Sequence, residues 1–195
     1  TTQCDDTVAI GTSAGNTNQN DNAIAIGYNA GQTDQMGSAI TIGSDAGKVS
    51  QGNGVTIGTM AGRTSQGTHA VAICEGAMYE NGGQYSVAVG MSACYSGDGG
   101  NCVAIGHGAL EFNGATKKYV VALGALAINT VSSNNTITLN ATAADLPNAV
   151  PDSFMVKPVW NAAGPNALTY NPATGEITYT TSSLDTKENI KEHWG

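Results

Sequence analysis

Carboxylates are spread through the connections of the first part of the chain, with candidates at Asp5, Asp6, Asp21, Asp34, Asp45, Glu80, Asp98 and Glu111. A glycoside hydrolase needs two such groups at a fixed separation, one as acid and one as nucleophile or base. These eight fall in different polar segments without an evident pair, which leaves open only a pair formed between chains. Four cysteines, Cys4, Cys74, Cys94 and Cys102, lack the C-x-x-C spacing of a zinc site. Cys94 and Cys102 flank the segment 95–101 and either bridge it or serve as buried free thiols, since cysteine often acts as a small hydrophobe. His69, His107 and His193 have no partner at metal-ligand spacing and read as surface or interface residues. No metal and no cofactor is expected. The aromatic residues Tyr79, Tyr85, Tyr95, Phe112 and Tyr119 crowd one stretch of polar connections. Rings on a polar loop surface commonly bind ligands, because tyrosine offers contact area at low entropic cost. The alternative is that they pack, closing one end of whatever the chain builds.

What positions these residues is a repeated phrase, seen in Asn22-Ala-Ile-Ala-Ile-Gly-Tyr-Asn-Ala-Gly31. It occurs eight times. Its second apolar residue falls at Ile10, Ile26, Ile42, Ile57, Ile73, Val89, Ile105 and Leu123, at intervals of 15 to 18 residues. Units this short with period-two alternation are single coils of a β-solenoid, each unable to bury its own apolar face until it is stacked. Eight coils at a strand spacing of about 4.8 Å make a rod of roughly 40 Å. A glycine follows the strand in every repeat except at Cys74, as a sharp bend requires.

Between the two aliphatic positions stand Ala9, Ala25, Thr41, Thr56, Ala72, Ala88, Ala104 and Ala122. A strand that is small and uncharged on its second face is packed on both faces. The expectation is that the aliphatic face fills the coil and the Ala/Thr face meets copies of the same chain about a symmetry axis.

The phrase Val-Ala-Ile-Gly-x-x-Ala resembles the head repeats of YadA-like trimeric adhesins, over about residues 5–130. That resemblance implies an all-β, left-handed parallel β-roll assembled as a homotrimer, with the Ala/Thr residues just named at the trimer interface. The 16-residue coils are longer than is typical of that family.

A net charge of −8 leaves no basic stripe for nucleic acid. No run of 18 apolar residues is present, so no membrane insertion is expected. The opening Thr1-Thr2-Gln3, in mid-repeat and without an initiator Met, suggests part of something longer. The roll is expected to occupy 1–130. Residues 131–181 are expected to form a small β unit, with strands at Thr136–Asn140, Phe154–Trp160, Ala167–Tyr170 and Glu176–Thr180. The last two are joined across Asn171-Pro-Ala-Thr-Gly175, a turn with proline early and glycine late.

Residues 182–195 form a charged tail. From Thr181 the sequence is similar to the junction that opens the intramolecular chaperone domain of endosialidase-type phage fibres, matching it at Thr181, Ser182, Lys187, Asn189 and Ile190. The resemblance implies cleavage in front of Ser182 with Lys187 completing a Ser-Lys dyad, since a desolvated lysine can serve as base to a serine hydroxyl. Most of a chaperone domain is missing, so the chain as it stands is not expected to be an enzyme. The combined expectation is a structural and host-attachment segment of a trimeric viral fibre or spike on the virion surface, its loops meeting a host cell-surface polysaccharide or glycoprotein. Two alternatives are the head of a trimeric cellular adhesin on a bacterial surface and a polysaccharide-degrading spike.

Overall fold

A computed structural model of the chain describes residues 3–97, 99–111, 118–142, 144–159 and 167–180. It divides into two units, Thr1–Pro158 and Val159–Gly195. The first unit is a parallel β-solenoid. Its main sheet has ten strands stacked in chain order, from Val8–Ile10 through Ile24–Ile26, Ile40–Ile42, Val55–Ile57, Val71–Ile73, Val87–Val89, Val103–Ile105 and Val120–Leu123 to Thr136–Asn140 and Phe154–Lys157. Ten strands make nine turns. Registration is residue on residue, Val8 beside Ile24 and Ala9 beside Ala25, then Ile24 beside Ile40 and Ala25 beside Thr41. A repeat of nearly constant length produces this alignment, because each coil returns the same residue type to the same place.

The ladder continues beyond residue 130, where the sequence expectation ends the roll. Ile137 pairs with Val121 and Phe154 with Ile137, in the same parallel sheet. Thr138 takes the buried position of Ala122, and the Asn140 side chain takes over the corner by donating to the carbonyls of Ala125 and Ala144 at 3.0 and 2.7 Å.

The faces of the strands are the reverse of the expectation. Ala25, Thr41, Thr56, Ala72, Ala88, Ala104 and Ala122 point into the coil of their own chain and are wholly buried, and Ala9 is partly buried against Ala14, Ala25 and Ala30. The aliphatic partners on either side face outward, Val8, Ile10, Ile57, Ile105 and Ile137 being exposed and the rest half-buried. These Ala/Thr residues therefore cannot form an intermolecular surface. The reason is width. Two further columns line the interior, Ala14, Ala30, Ala46 and their equivalents on one side and Ala23, Ala39 and Ala70 on another, all buried. Facing these alanine columns, the inward position of the main strand is filled by Ala or Thr, and its larger neighbours turn outward.

The opposite wall carries a shorter parallel sheet, Thr17–Gln19, Thr33–Gln35 and Val49–Gln51, continued by single bridges through Thr64, Glu80 and Ser96. Its inward residues fill the interior in two different ways. In the early coils Gln19, Gln35, Gln51 and Gln66 are buried, each opposite a glycine four residues before it, at Gly15, Gly31, Gly47 and Gly62. The Gln35 amide crosses the coil to donate to the Ile24 carbonyl at 2.8 Å and to the Thr41 hydroxyl at 2.8 Å. The Thr41 hydroxyl in turn donates to the Gln51 side-chain carbonyl. From the fifth coil the filling changes: Met78, Cys94, Leu110 and Ile128 occupy the glycine column, all buried, and Gly82 stands where a glutamine stood. A Cβ at Gly82 would lie 3.1 Å from the Met78 sulfur.

At the bend after each strand the backbone has φ near +130°, and a Cβ on Gly27 would sit 2.5 Å from the Gly43 carbonyl oxygen. Glycine is needed there. Within the eight repeats Cys74 alone replaces it, with φ +95°. In the second unit Ala167–Tyr170 and Ile177–Thr180 form an antiparallel hairpin across residues 171–175, where the Asn171 side-chain oxygen accepts from the Ala173 N–H at 3.0 Å.

Candidate binding surface

Stacking coils carries an outward residue at one position into a column with its equivalents, so side-chain columns are the natural unit of the surface. One column runs through Arg63, Tyr79 and Tyr95, whose flanking backbones are hydrogen-bonded coil to coil. The Tyr79 and Tyr95 rings are stacked, with centroids 4.8 Å apart and planes within 2°. That distance is the strand spacing itself. On the other side of Tyr79 the Arg63 guanidinium lies 5.3 Å from the ring centroid and donates to the phenol oxygen at 2.8 Å. Burial pushes the Tyr95 phenol above its ordinary value, and the neighbouring Tyr79 and Glu80 add to the shift. Both faces of Tyr79 are thus engaged inside the chain. These two rings knit three coils together, which is a packing role the sequence expectation allowed for, though at the wall of the roll.

Tyr85 and Tyr119 lie in a different column, at the corner that leads into the main strands. Tyr85 is 58% and Tyr119 59% exposed. Below Tyr85 is His69, whose ring is tilted by 49° with its centroid 5.2 Å away. Asn101, also exposed, occupies the coil between the two tyrosines. Of the five aromatic candidates the structure therefore brings Tyr79 and Tyr95 into contact, leaves Tyr85 and Tyr119 open to solvent, and does not describe Phe112.

Among the described carboxylates, Glu80 and Glu111 both act electrostatically on the Tyr95 phenol, while Asp21, Asp34 and Asp45 each have a separate partner. Asp21 accepts from the Asp5 N–H at 3.2 Å, and Asp34 accepts from the Asn18 amide at 2.7 Å. Asp45 accepts from the Asn29 amide at 3.0 Å and pairs with Lys48 at 2.9 Å. The Asn29 hydrogen bond holds its carboxyl below the usual 3.8 against the opposing effect of burial, with Lys48 and then Arg63 adding to the lowering. No cluster of three or more metal-ligating side chains is found among the described residues. Cys94 and Cys102 are buried and do not bridge the segment between them, the Cys102 thiol donating to the Gly100 carbonyl at 3.5 Å, while Cys4 and Cys74 are exposed. Asp98, Ser182, Lys187 and His193 lie outside the described residues.

Two features were missed by sequence reasoning. One is the outward aliphatic face of the main sheet. Its signal was present in the alanine columns, which show how narrow the interior is. The other is an open groove of 540 Å³ over the early coils, lined by Asn18, Asp34, Ser50, Gln66 and Gln84 among others, with Met36 as its apolar member. No short motif announces it, because its floor is set by the alignment of Gly52 and Gly67, where a Cβ on Gly52 would lie 2.6 Å from the Gly67 carbonyl oxygen.

Comparison with protein-family models, with curated proteins and with solved structures finds no match to this chain.

Proposed function

We propose that this chain is a structural and host-attachment segment of a trimeric viral fibre or spike, of a phage or an algal-type virus, assembled from three parallel rolls. The observation that carries the reading is the outward face of the ten-stranded sheet, where Val8, Ile10, Ile57, Ile105, Ile137, Phe154 and Val156 are exposed in two aligned columns. A continuous aliphatic strip along a rod exceeds what a solitary soluble protein leaves in water. Copies packed about an axis parallel to the rod cover it along its whole length, and closed rotational symmetry leaves no face over for further growth. A trimer then presents each coil corner three times in register, so weak contacts to a repeating host glycan add by avidity.

Light scattering of the purified chain, coupled to size exclusion, should give three times the 19.7 kDa chain mass. The assembled rod should adhere to cell-wall polysaccharide of a susceptible host. A persistent monomer would remove the basis of the reading.

A further inference from the structure

Apart from Asn53 in the fourth coil, the corner column before the main strands reads, in chain order, Asp6, Asn22, Ser38, His69, Tyr85, Asn101, Tyr119, Asn135 and Asp152, all with φ between 55° and 62°. Asn and Asp tolerate this left-handed conformation because their short side chains bond locally. Tyrosine has no such compensation, yet it stands here twice, with φ 56° at Tyr85 and 58° at Tyr119. Bulky left-handed residues occur elsewhere in the roll: Met78, Leu110 and Ile128 are buried and fill the core, Leu126 is half-buried, and Met60 is exposed but less so than either tyrosine. Tyr85 and Tyr119 are more than half exposed, and the one ring contact either makes is that of Tyr85 with His69, so burial within the chain does little to offset their backbone strain. Strain kept at an exposed residue, in a column where asparagine would serve, points to use.

The geometry of the strip indicates the ligand. Two coils separate the tyrosines, which places them about 10 Å apart along the rod at the usual strand spacing. Asn101 offers one amide between them, as donor and acceptor. The column contains neither Lys nor Arg, and the chain carries a net charge of −8, which disfavours a polyanion. We propose that Tyr85, Asn101 and Tyr119 form a binding strip for an extended, neutral, β-linked polysaccharide lying along the rod. The two rings take the apolar faces of sugars in successive repeats, and the Asn101 amide bonds hydroxyls of the sugar between. The inference rests on the attachment reading above and adds the class of glycan and its direction.

The test uses the whole chain and immobilised cellohexaose and chitohexaose, with the polyanion heparin as a control. Wild type should be retained by at least one neutral hexasaccharide and not by heparin. Tyr85→Asn and Tyr119→Asn, which install the column's own residue, should each weaken retention by about tenfold or more, as loss of an aromatic anchor does. Because the strain is relieved, the melting temperature of both variants should hold or rise, and the mass by light scattering should stay unchanged. Equal retention by the double variant overturns the strip, and so does retention of wild type by heparin alone. A fall in melting temperature or in mass also overturns it, since the rings would then be packing or interface residues. A wild-type trimer that holds neither hexasaccharide overturns the strip and leaves the assembly reading standing, whereas a monomer that holds one does the opposite.

Discussion

The early and late coils of the roll share one backbone and fill it with opposite chemistry. Through the fourth coil the interior is spanned by glutamines that bond carbonyls of the facing strand, as Gln19 does to Val8 and Ala23 at 2.9 and 3.1 Å. From the fifth, Met78, Cys94, Leu110 and Ile128 belong to one continuous apolar cluster with Val120 and the alanine columns. The difference shows that the coil is specified by its corners and its narrow alanine walls, and that the remaining space accepts either a hydrogen-bonded belt or a hydrocarbon plug. The two are not equal in stability. The side-chain carbonyls of Gln19, Gln35 and Gln66 find no donor among the described residues, and a buried polar atom left so is unfavourable by about 1–3 kcal/mol. The early coils should accordingly be the first to open.

The comparison breaks most sharply if one filling is forced into the other's coil. Gly31→Met places a Cβ where the nearest atom, the Gln35 side-chain oxygen, is 2.6 Å away, and it should destabilise the roll by 3 kcal/mol or more, on the order of a severe overpacking with backbone strain. Adding Gln35→Gly reproduces the Met78/Gly82 arrangement of the fifth coil and should restore most of the loss. Thermal unfolding of the two variants measures both effects, and failure of the rescue would mean that the fillings are not interchangeable.

Truncations rank next. Met78→Ala should cost about 2–5 kcal/mol by opening a cavity in the late core. Gln51→Ala, which removes the bond to the Ile40 carbonyl and the acceptor of the Thr41 hydroxyl, should cost about 1–3 kcal/mol. Denaturant titration would place the order of the two, and the reverse order would make the early belt the stronger half.

The smallest effect concerns Asp45. Its folded pKa lies below its unfolded value, so its contribution is present at neutral pH and is lost as pH falls through the folded pKa, below 3.8. Because Asp45 and its partner Lys48 are only half-buried and stay in contact with solvent, Asp45→Asn should lower the melting temperature only slightly at pH 7 and not at all at pH 2. An equal loss at both pH values would trace the effect to the Asn29 bond and not to charge.

Much of this architecture is legible in the sequence. The intervals between Ile10, Ile26 and Ile42 give the coil, the glycine after each strand gives the bend, and the proline-to-glycine run at 171–175 gives the hairpin. The orientation of the strands was not. Period-two alternation states that two faces differ, and it is silent on which one is inside. That is decided by the width of the interior, which depends on alanines from two other positions in the coil. The continuation past residue 130 was hidden for a similar reason: Ile137 and Phe154 keep the 16- and 17-residue spacing, but Thr138 replaces alanine and Asn140 replaces the corner glycine. Of the binding surface, the tyrosines were visible as types. Their sorting into a packed pair and an exposed pair required the register, since Arg63, Tyr79 and Tyr95 are one coil apart and stack only because the coils align.

The central claim is that small residues fill each coil while the aliphatic ones between coils remain for association. Neighbouring charges on one strand separate the two roles: Ala104→Glu against Ile105→Glu, each followed by calorimetric melting and light scattering. Ala104→Glu should abolish cooperative melting, because it buries an unpaired charge in a coil lined by alanine. Ile105→Glu should keep a cooperative transition while the mass falls from three chains toward one. If instead Ala104→Glu yields a folded monomer and Ile105→Glu unfolds the roll, the faces are assigned the wrong way round.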